Sequence, residues 1–242
     1  MKARIKFRKY GVLKFIGHLD VMRFFQKAMR RADIPIAFTG GYSPHMIMSF
    51  AQPLGVGITS DGEYLDIELT ERISSERAVR QLNAVMVEGI DIISFVEIPD
   101  DKKSGGMTIT AAADYRVFLL ESAESLDVRL PVPETWRENI TTFLGKTEVK
   151  VWKKTKKSGK EVDILPMVYE MRADEDSIYL LLAAGSEQNL KPELVMEAFL
   201  TDIEEQGSPL CYHRLDLRAR RADGALVPLS DMGKEIKGGD AL

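Results

Sequence analysis

Alternating apolar and basic residues open the chain. Over residues 2–9, Ala3, Ile5 and Phe7 occupy every second position. The positions between them are all basic: Lys2, Arg4, Lys6 and Arg8. Because successive side chains of a strand point to opposite faces, this pattern predicts a half-buried strand with one basic face.

From about residue 17 to residue 32 the apolar spacing changes to three and four, which predicts an amphipathic helix. Its apolar positions are Leu19, Met22, Phe25, Met29 and Ala32. Basic residues follow a similar spacing on the other face: Arg23, Lys27, Arg30 and Arg31. The helix is expected to stop before Ile34 because the residue preceding a proline is disfavoured in helical conformation.

The next segments complete a β-α-β-β-α-β order. Short apolar stretches at 34–38 and 46–51 flank a turn-rich segment, and residues 63–69 alternate as a strand. Ser74 is a candidate N-cap for a second helix, and residues 90–97 read as a closing strand. This element order is typical of the ferredoxin-like, split β-α-β arrangement, which we expect over residues 1–99.

A similar element order follows in the second half. Residues 100–110 read as a polar linker, residues 111–221 as a second, decorated ferredoxin-like domain, and residues 222–242 as a flexible tail. The predicted class is therefore α+β, with two ferredoxin-like domains in tandem and helices on one face of antiparallel sheets. The two halves show no sequence self-similarity, so the duplication depends on element order alone.

Positive charge is concentrated in two segments of a chain whose net charge is −4. Residues 1–45 hold ten basic and two acidic residues, and residues 146–160 hold seven lysines and one glutamate. Clustered cations favour an anionic partner, although solvated faces have the same composition.

The single cysteine, Cys211, excludes an intramolecular disulfide and a multi-cysteine metal site. No apolar run approaches the length of a spanning helix, and a cytoplasmic location is expected.

Two histidines, His18 and His45, are candidate catalytic residues. His18 lies at the start of the predicted helix, where unpaired amides favour an anion such as phosphate. The pair is suited to general acid–base cleavage of RNA, but a structural role for His18 and the turn before His45 is the simpler interpretation. The spacing indicates no metal site, and the sequence implies no cofactor.

Four segments of the chain resemble one bacterial protein family. Residues 9–23 (KYGVLKFIGHLDVMR), 28–35 (AMRRADIP), 41–45 (GYSPH) and 62–67 (GEYLDI) are similar to the radical SAM-linked protein family. That family is an uncharacterised bacterial domain found beside, or fused to, cobalamin-binding radical SAM proteins. The chain differs from the pattern at Gly17, at Tyr42 and Ser43, and at Met46. The resemblance implies a radical SAM protein as partner.

The leading hypothesis is a non-catalytic RNA-binding or substrate-presenting accessory protein of a radical SAM enzyme. Its expected RNA contacts are Lys2, Arg4, Lys6, Arg8, Arg23, Lys27, Arg30, Arg31, Tyr42, Ser43, Trp152, Lys153, Lys154, Lys156 and Lys157. A metal-independent endoribonuclease using His18 and His45 is one alternative. A protein–protein adaptor that does not contact nucleic acid is the other. No membrane partner is expected, and the oligomeric state is not predicted.

Overall fold

The computed structural model describes residues 1–124, 128–154, 159–205 and 207–238. The strands are β1 (Lys2–Lys9), β2 (Met48–Phe50), β3 (Thr59–Glu68), β4 (Ile90–Ile98), β5 (Thr110–Leu120), β6 (Arg129–Leu130), β7 (Lys150–Lys154), β8 (Gly159–Asp163), β9 (Val168–Ala173), β10 (Ile178–Ala183), β11 (Leu210–Arg220), β12 (Leu226–Pro228) and β13 (Lys234–Glu235). The helices are α1 (His18–Arg31), α2 (Ser75–Asn83), α3 (Gly106–Ile109), α4 (Glu134–Leu144) and α5 (Pro192–Asp202). The predicted α+β class is confirmed.

The chain divides into two compact units. Unit 1 contains Met1–Ala111 and the residues from Arg214 onward, whereas unit 2 contains Ala112–His213. The expected second domain over 111–221 therefore differs at its end, because the chain returns to unit 1 inside β11. Within the described ranges, no helix is both long and apolar enough to cross a bilayer.

The sheet of unit 1 has the strand order β13-β4-β1-β3-β11, with β2 paired to β3 and β12 paired to β11. β1 is antiparallel to both β3 and β4, and β2 is antiparallel to β3. The order β4-β1-β3-β2 is the one that the split β-α-β arrangement predicts for residues 1–99.

Helices α1 and α2 supply apolar side chains to the core of unit 1. Ile5 of β1 pairs in register with Leu65 of β3, and both are fully buried. The ring of Phe25 from α1 lies 4.7 Å from the ring of Phe7 on β1, measured between centroids. Burying a side chain such as Phe25 contributes about 1.5–3 kcal/mol.

The start of α1 departs from the expected pattern. Leu19, expected in the core, is 63% exposed, whereas Val21 is 5% exposed and fills the core position. Helical spacing alone did not distinguish these two residues because both fit an apolar stripe within one turn. The N-cap at Ser74 is confirmed, since its hydroxyl accepts a hydrogen bond from the Arg77 amide at 3.3 Å.

The segments expected as linker and tail are packed parts of unit 1. Ile236 is 1% exposed, and its amide donates to the Ser75 hydroxyl at 2.8 Å. β13 adds to the edge of the sheet by pairing with β4. The expectation of a flexible tail is therefore wrong for residues 222–238, which are too short and irregular to show a periodic pattern.

In unit 2 the strands β5, β10 and β9 are neighbours in that order, β6 pairs with β5, and β7 forms a separate hairpin with β8. Helices α4 and α5 pack through aromatic side chains, with ring centroids 5.4 Å apart for Phe143 and Phe199. Trp136 is buried, and its indole N–H donates to Glu205 at 2.6 Å. The tandem of two ferredoxin-like domains stays a prediction.

Candidate nucleic-acid interface

Each basic side chain on the β1 face opposite Ala3, Ile5 and Phe7 has a carboxylate beside it. The distances between the nitrogen and the oxygen range from 2.7 to 3.3 Å for Lys2–Asp100, Arg4–Asp66, Lys6–Asp216 and Arg8–Asp61. The sequence predicted this basic face, but the acidic partners come from segments far away along the chain. The face is therefore largely neutralised.

Arg4 is fully buried and belongs to the interior of unit 1. Its guanidinium donates to both carboxylate oxygens of Asp66, at 2.7 and 2.9 Å, and to the carbonyl oxygens of Ser104 and Leu229. Asp66 also accepts from the Gly106 amide at 2.6 Å. The expected contact between Arg4 and RNA is wrong, because the bidentate pair holds two chain segments against β1.

Lys6 belongs to a second paired cluster on the same face. Its ammonium lies 2.7 Å from Asp216, which also accepts a hydrogen bond from the Tyr64 hydroxyl at 2.6 Å. Burial raises the pKa of Tyr64 above its usual range, and the Asp216 charge adds to that shift. Lys6 is about one-fifth exposed, so most of its side chain is committed to this cluster.

The outward face of α1 carries four cations, and one of them has an acidic partner. We call Arg23, Lys27, Arg30 and Arg31 the α1 face; all four are exposed. Arg23 lies 3.5 Å from Asp20, one turn earlier. No ion pair involves Lys27, Arg30 or Arg31 within the described residues, and cations near a helix C-terminus are favourable with its dipole.

Four exposed apolar side chains lie near the N-terminal end of α1. We call Val12, Phe15, Leu19 and Val56 the apolar patch; each is at least 57% exposed. The Gly57 amide donates to the Lys14 carbonyl oxygen at 2.7 Å, which joins the loop holding Val56 to the turn holding Phe15. Grouped apolar exposure of this kind marks interaction surfaces.

The turn over residues 39–45 presents Tyr42 and Ser43 to solvent. Tyr42 is fully exposed, and Ser43 is exposed beside it. Thr39 fixes the turn, because its hydroxyl lies 3.1 Å from the His45 ring nitrogen Nδ1 and accepts from the His45 amide. Tyr42 and Ser43 are therefore accessible to a ligand, as their predicted role requires.

The structure does not bring His18 and His45 together. The His18 ring packs edge-on against Phe50, with ring centroids 5.0 Å apart. The His45 ring lies beside Thr39 instead, with its Nδ1 3.1 Å from the Thr39 hydroxyl, and the described residues show no contact between the two histidines. General acid–base catalysis needs both groups within hydrogen-bond reach of one substrate, so the paired-histidine mechanism is not favoured.

A buried ionic cluster near His18 was missed from the sequence. Glu63 accepts hydrogen bonds from Arg214 at 2.9 and 3.1 Å, and Lys9 donates to the Ile16 carbonyl oxygen at 3.2 Å. Burial raises the pKa of Glu63, opposed by the Arg214 charge, and burial lowers the pKa of Lys9, opposed by the Glu63 charge. The one available signal was the polar position of Lys9 in the apolar register of Ala3, Ile5 and Phe7.

The cluster borders a small cavity that His18 also lines. Phe7, Phe50 and Leu54 supply its apolar walls. Within the described residues, no three His, Cys, Asp or Glu side chains form a metal-binding group. The cluster therefore acts as a polar end of the core of unit 1.

In unit 2 the lysine-rich hairpin is paired in part. Trp152 on β7 is 61% exposed, as its predicted role requires, and the Lys153 ammonium donates to the Asn189 carbonyl oxygen at 2.7 Å. Lys154 is the last residue of β7, while Lys156 and Lys157 lie outside the described residues.

A comparison with family models decides the membership of the chain. The model described as "Uncharacterized protein conserved in bacteria (DUF2344)" matches residues 2–192. The chain belongs to the DUF2344 family. This match confirms the expected uncharacterised bacterial family, and it includes the α1 face, the apolar patch and Trp152. Arg214 and Asp216, which pair with Glu63 and Lys6, lie beyond the matched segment.

No curated protein matches this chain. Among solved structures, it is similar to a chain in the "Crystal Structure of a Cbf5-Nop10-Gar1 Complex", with 10% identity and a TM-score of 0.40. The alignment covers 89% of this chain but 48% of that chain, about half of its length. A likeness at this TM-score carries no argument about function.

Proposed function

We propose that this chain is a non-catalytic, cytoplasmic accessory protein that binds single-stranded RNA through the α1 face. One observation carries the proposal: Lys27, Arg30 and Arg31 are exposed and have no acidic partner among the described residues, whereas the cations of β1 are paired. Free cations release counterions when they neutralise phosphates, and this release supplies most of a sequence-independent affinity.

The surroundings of the α1 face suit a single strand. The four cations cover about 12 Å of helix, from Arg23 to Arg31, at 1.5 Å per residue. Phe15, in the neighbouring apolar patch, is 57% exposed, and the Lys14 ammonium lies 5.2 Å from its ring centroid. An exposed ring beside cations allows an unpaired base to stack while the phosphates follow the helix.

The test is the salt dependence of binding to a labelled oligouridine, followed by fluorescence anisotropy. Each lost contact with a single strand lowers the magnitude of the slope of log K against log salt by about 0.7. The triple variant Lys27→Gln, Arg30→Gln, Arg31→Gln should therefore lower that magnitude by about 2. The matched control is Arg77→Gln, Lys102→Gln, Lys103→Gln, which removes three exposed cations elsewhere in unit 1. Equal slopes for the two variants would contradict the proposal.

We propose that the protein partner is a radical SAM enzyme. The support is the resemblance of residues 9–23 and 41–45 to the radical SAM-linked family, together with the single cysteine of this chain. An iron–sulfur cluster needs several cysteine ligands, so another protein would have to hold it. Affinity purification from the source bacterium tests this: a radical SAM enzyme among the co-purified proteins is expected, and its absence counts against the proposal.

The apolar patch favours a second candidate function, a protein–protein adaptor. Its four exposed side chains resemble the apolar centre of an interface more than a phosphate contact. The discriminating experiment is co-purification before and after ribonuclease treatment, with Phe15→Ser, Leu19→Ser compared against Val87→Ser, Met107→Ser. A complex that survives ribonuclease but is lost only in the first variant supports the adaptor, whereas loss on ribonuclease treatment supports RNA binding.

A further inference from the structure

A recess of unit 2 lies beside the lysine-rich hairpin. It is formed by the end of α4, strand β7 and one side of α5, and its volume is about 560 Å³. This volume falls within the range of pockets that hold small ligands or a few peptide side chains. Val149, Val151 and Leu194 contribute apolar surface to it.

The indole of Trp152 forms an exposed aromatic wall of this recess. One side of the ring lies against the backbone of Gly159, where an added Cβ would be 2.4 Å from the indole nitrogen. Glycine at 159 therefore allows the ring to approach the backbone of β8 closely. Trp152 as a whole is 61% exposed, so its ring is accessible to a ligand in the recess.

The charges that line the recess favour a cation. Its two lysines are each paired, Lys146 with Asp202 and Lys150 with Glu148. Glu197 and Glu204 also line it, are exposed, and have no ion pair within the described residues. Among the side chains that line the recess, four carboxylates stand against two lysines, which favours a cationic group over a phosphate at this position.

Glu161 adds to this charge from the partner strand. It is directly opposite Trp152 in the antiparallel register of β7 and β8. Directly opposed residues share a face and have Cβ atoms about 5 Å apart. The exposed indole is therefore accompanied by carboxylates on β8 and on α5.

We propose that this recess binds an arginine side chain of a polypeptide partner. A planar guanidinium stacks on an indole and donates two parallel hydrogen bonds to a carboxylate, which fits Trp152 with Glu197 or Glu204. Arginine also loses less hydration than lysine when it enters such a site. The site is separate from the α1 face, so the proposal goes beyond RNA binding and does not depend on it.

Tryptophan fluorescence provides the test because the chain has two tryptophans in different environments. Trp136 is 1% exposed, whereas Trp152 is 61% exposed at the recess. We expect an acetylated, amidated arginine tripeptide to change the emission of the full chain with saturation. In Trp152→Phe, which leaves Trp136 as the reporter, the change should disappear.

Charge variants identify the carboxylates. Glu197→Gln, Glu204→Gln should weaken binding of the arginine tripeptide about tenfold, since an exposed cation–π contact and each exposed ion pair contribute modestly. The matched control, Glu175→Gln, Glu187→Gln, removes two exposed carboxylates elsewhere in unit 2 and should bind like the unmodified chain. Circular dichroism checks that both variants are folded.

Three results would overturn the proposal. The first is the absence of a saturable change in fluorescence with the arginine tripeptide up to millimolar concentration. The second is equal weakening of tripeptide binding in the two charge variants. The third is a larger change in fluorescence with a glutamate tripeptide or an oligouridine than with the arginine tripeptide. Lys27→Gln, Arg30→Gln, Arg31→Gln should bind the arginine tripeptide normally. This last measurement separates failure of the recess from failure of the α1 face.

Discussion

Replacing Arg4 by methionine tests whether the basic strand is structural. The Arg4 side chain has no exposed surface and donates to Asp66 at 2.7 and 2.9 Å, to Ser104 at 2.9 Å and to Leu229 at 3.1 Å. Methionine keeps most of the length of the side chain but donates no hydrogen bond. The substitution therefore isolates the polar contribution of the guanidinium.

The expected cost follows from the groups left behind. Asp66 is 12% exposed and would keep the Gly106 amide as a donor, at 2.6 Å. Removing one partner of a buried ion pair costs about 3–5 kcal/mol. The carbonyl oxygens of Ser104 and Leu229 lose a donor too, but segments near the surface can recover water, so we take about 4 kcal/mol as the total.

Hydrogen exchange followed by mass spectrometry is the suitable assay, because both tryptophans lie in unit 2 and their fluorescence does not report on unit 1. A loss of about 4 kcal/mol should accelerate exchange of the globally protected amides in β1 and β3 by about a thousandfold. The companion variant Asp66→Leu should act similarly. The double variant should lose clearly less than the sum of the two, because it leaves no unpaired charge.

Arg77→Met is the control, since Arg77 is exposed on α2, and its effect should stay within about 0.5 kcal/mol. The reasoning is refuted if Arg4→Met exchanges like the unmodified chain and also binds oligouridine tenfold more weakly. That result would make Arg4 an accessible RNA ligand. A slower exchange in Asp66→Leu alone would contradict the paired arrangement as well.

Two further expectations concern the same face of unit 1. Gly62→Ala should destabilise unit 1 by about 1–3 kcal/mol, because a Cβ at position 62 would lie 2.7 Å from the Cα of Asp216 and overpacking against the backbone is costly. Gly40→Ala is the control in the same exchange assay, because a Cβ at position 40 meets nothing within 4 Å. Burial and the hydrogen bond to Asp61 raise the pKa of Tyr10 to about 12. The stability that this shift contributes is present below the ordinary tyrosine pKa of 10.0 and is lost as the pH rises through 12. Tyr10→Phe should lose this pH dependence, together with one late step in the absorbance titration at 295 nm. An unchanged titration would refute the assignment.

Local sequence patterns predicted the strands and helices of unit 1 because each of these patterns involves residues that are close together in the sequence. The period of two over residues 2–9, the helical spacing that follows and the cap at Ser74 each involve residues within one or two turns. The return of the chain at Arg214 and the pairing of β13 with β4 depend on residues more than a hundred positions apart. No periodic signal in one sequence encodes such pairings.

The candidate site illustrates the same limit for electrostatics. Arg4 and Asp66 are separated by 62 positions, and Lys6 and Asp216 by 210 positions. A window of sequence therefore counts the cation and misses its partner. Tyr42 and Trp152, two of the expected RNA contacts, are both exposed, and their contact with RNA stays a prediction.

The pairing of β1 sets an upper limit on how much of the positive charge at the N-terminal end can act on RNA. Of the ten basic residues before position 46, the four at alternate positions of β1 have carboxylate partners and Lys9 is buried. With three unpaired cations on α1, the salt slope for a single strand should be about 2. Affinity from so few contacts is weak at physiological salt, so an accessory role beside a protein that supplies further contacts fits better than independent capture of RNA. A measured slope well above 2 would place the RNA on another surface and would remove the α1 face from the proposal.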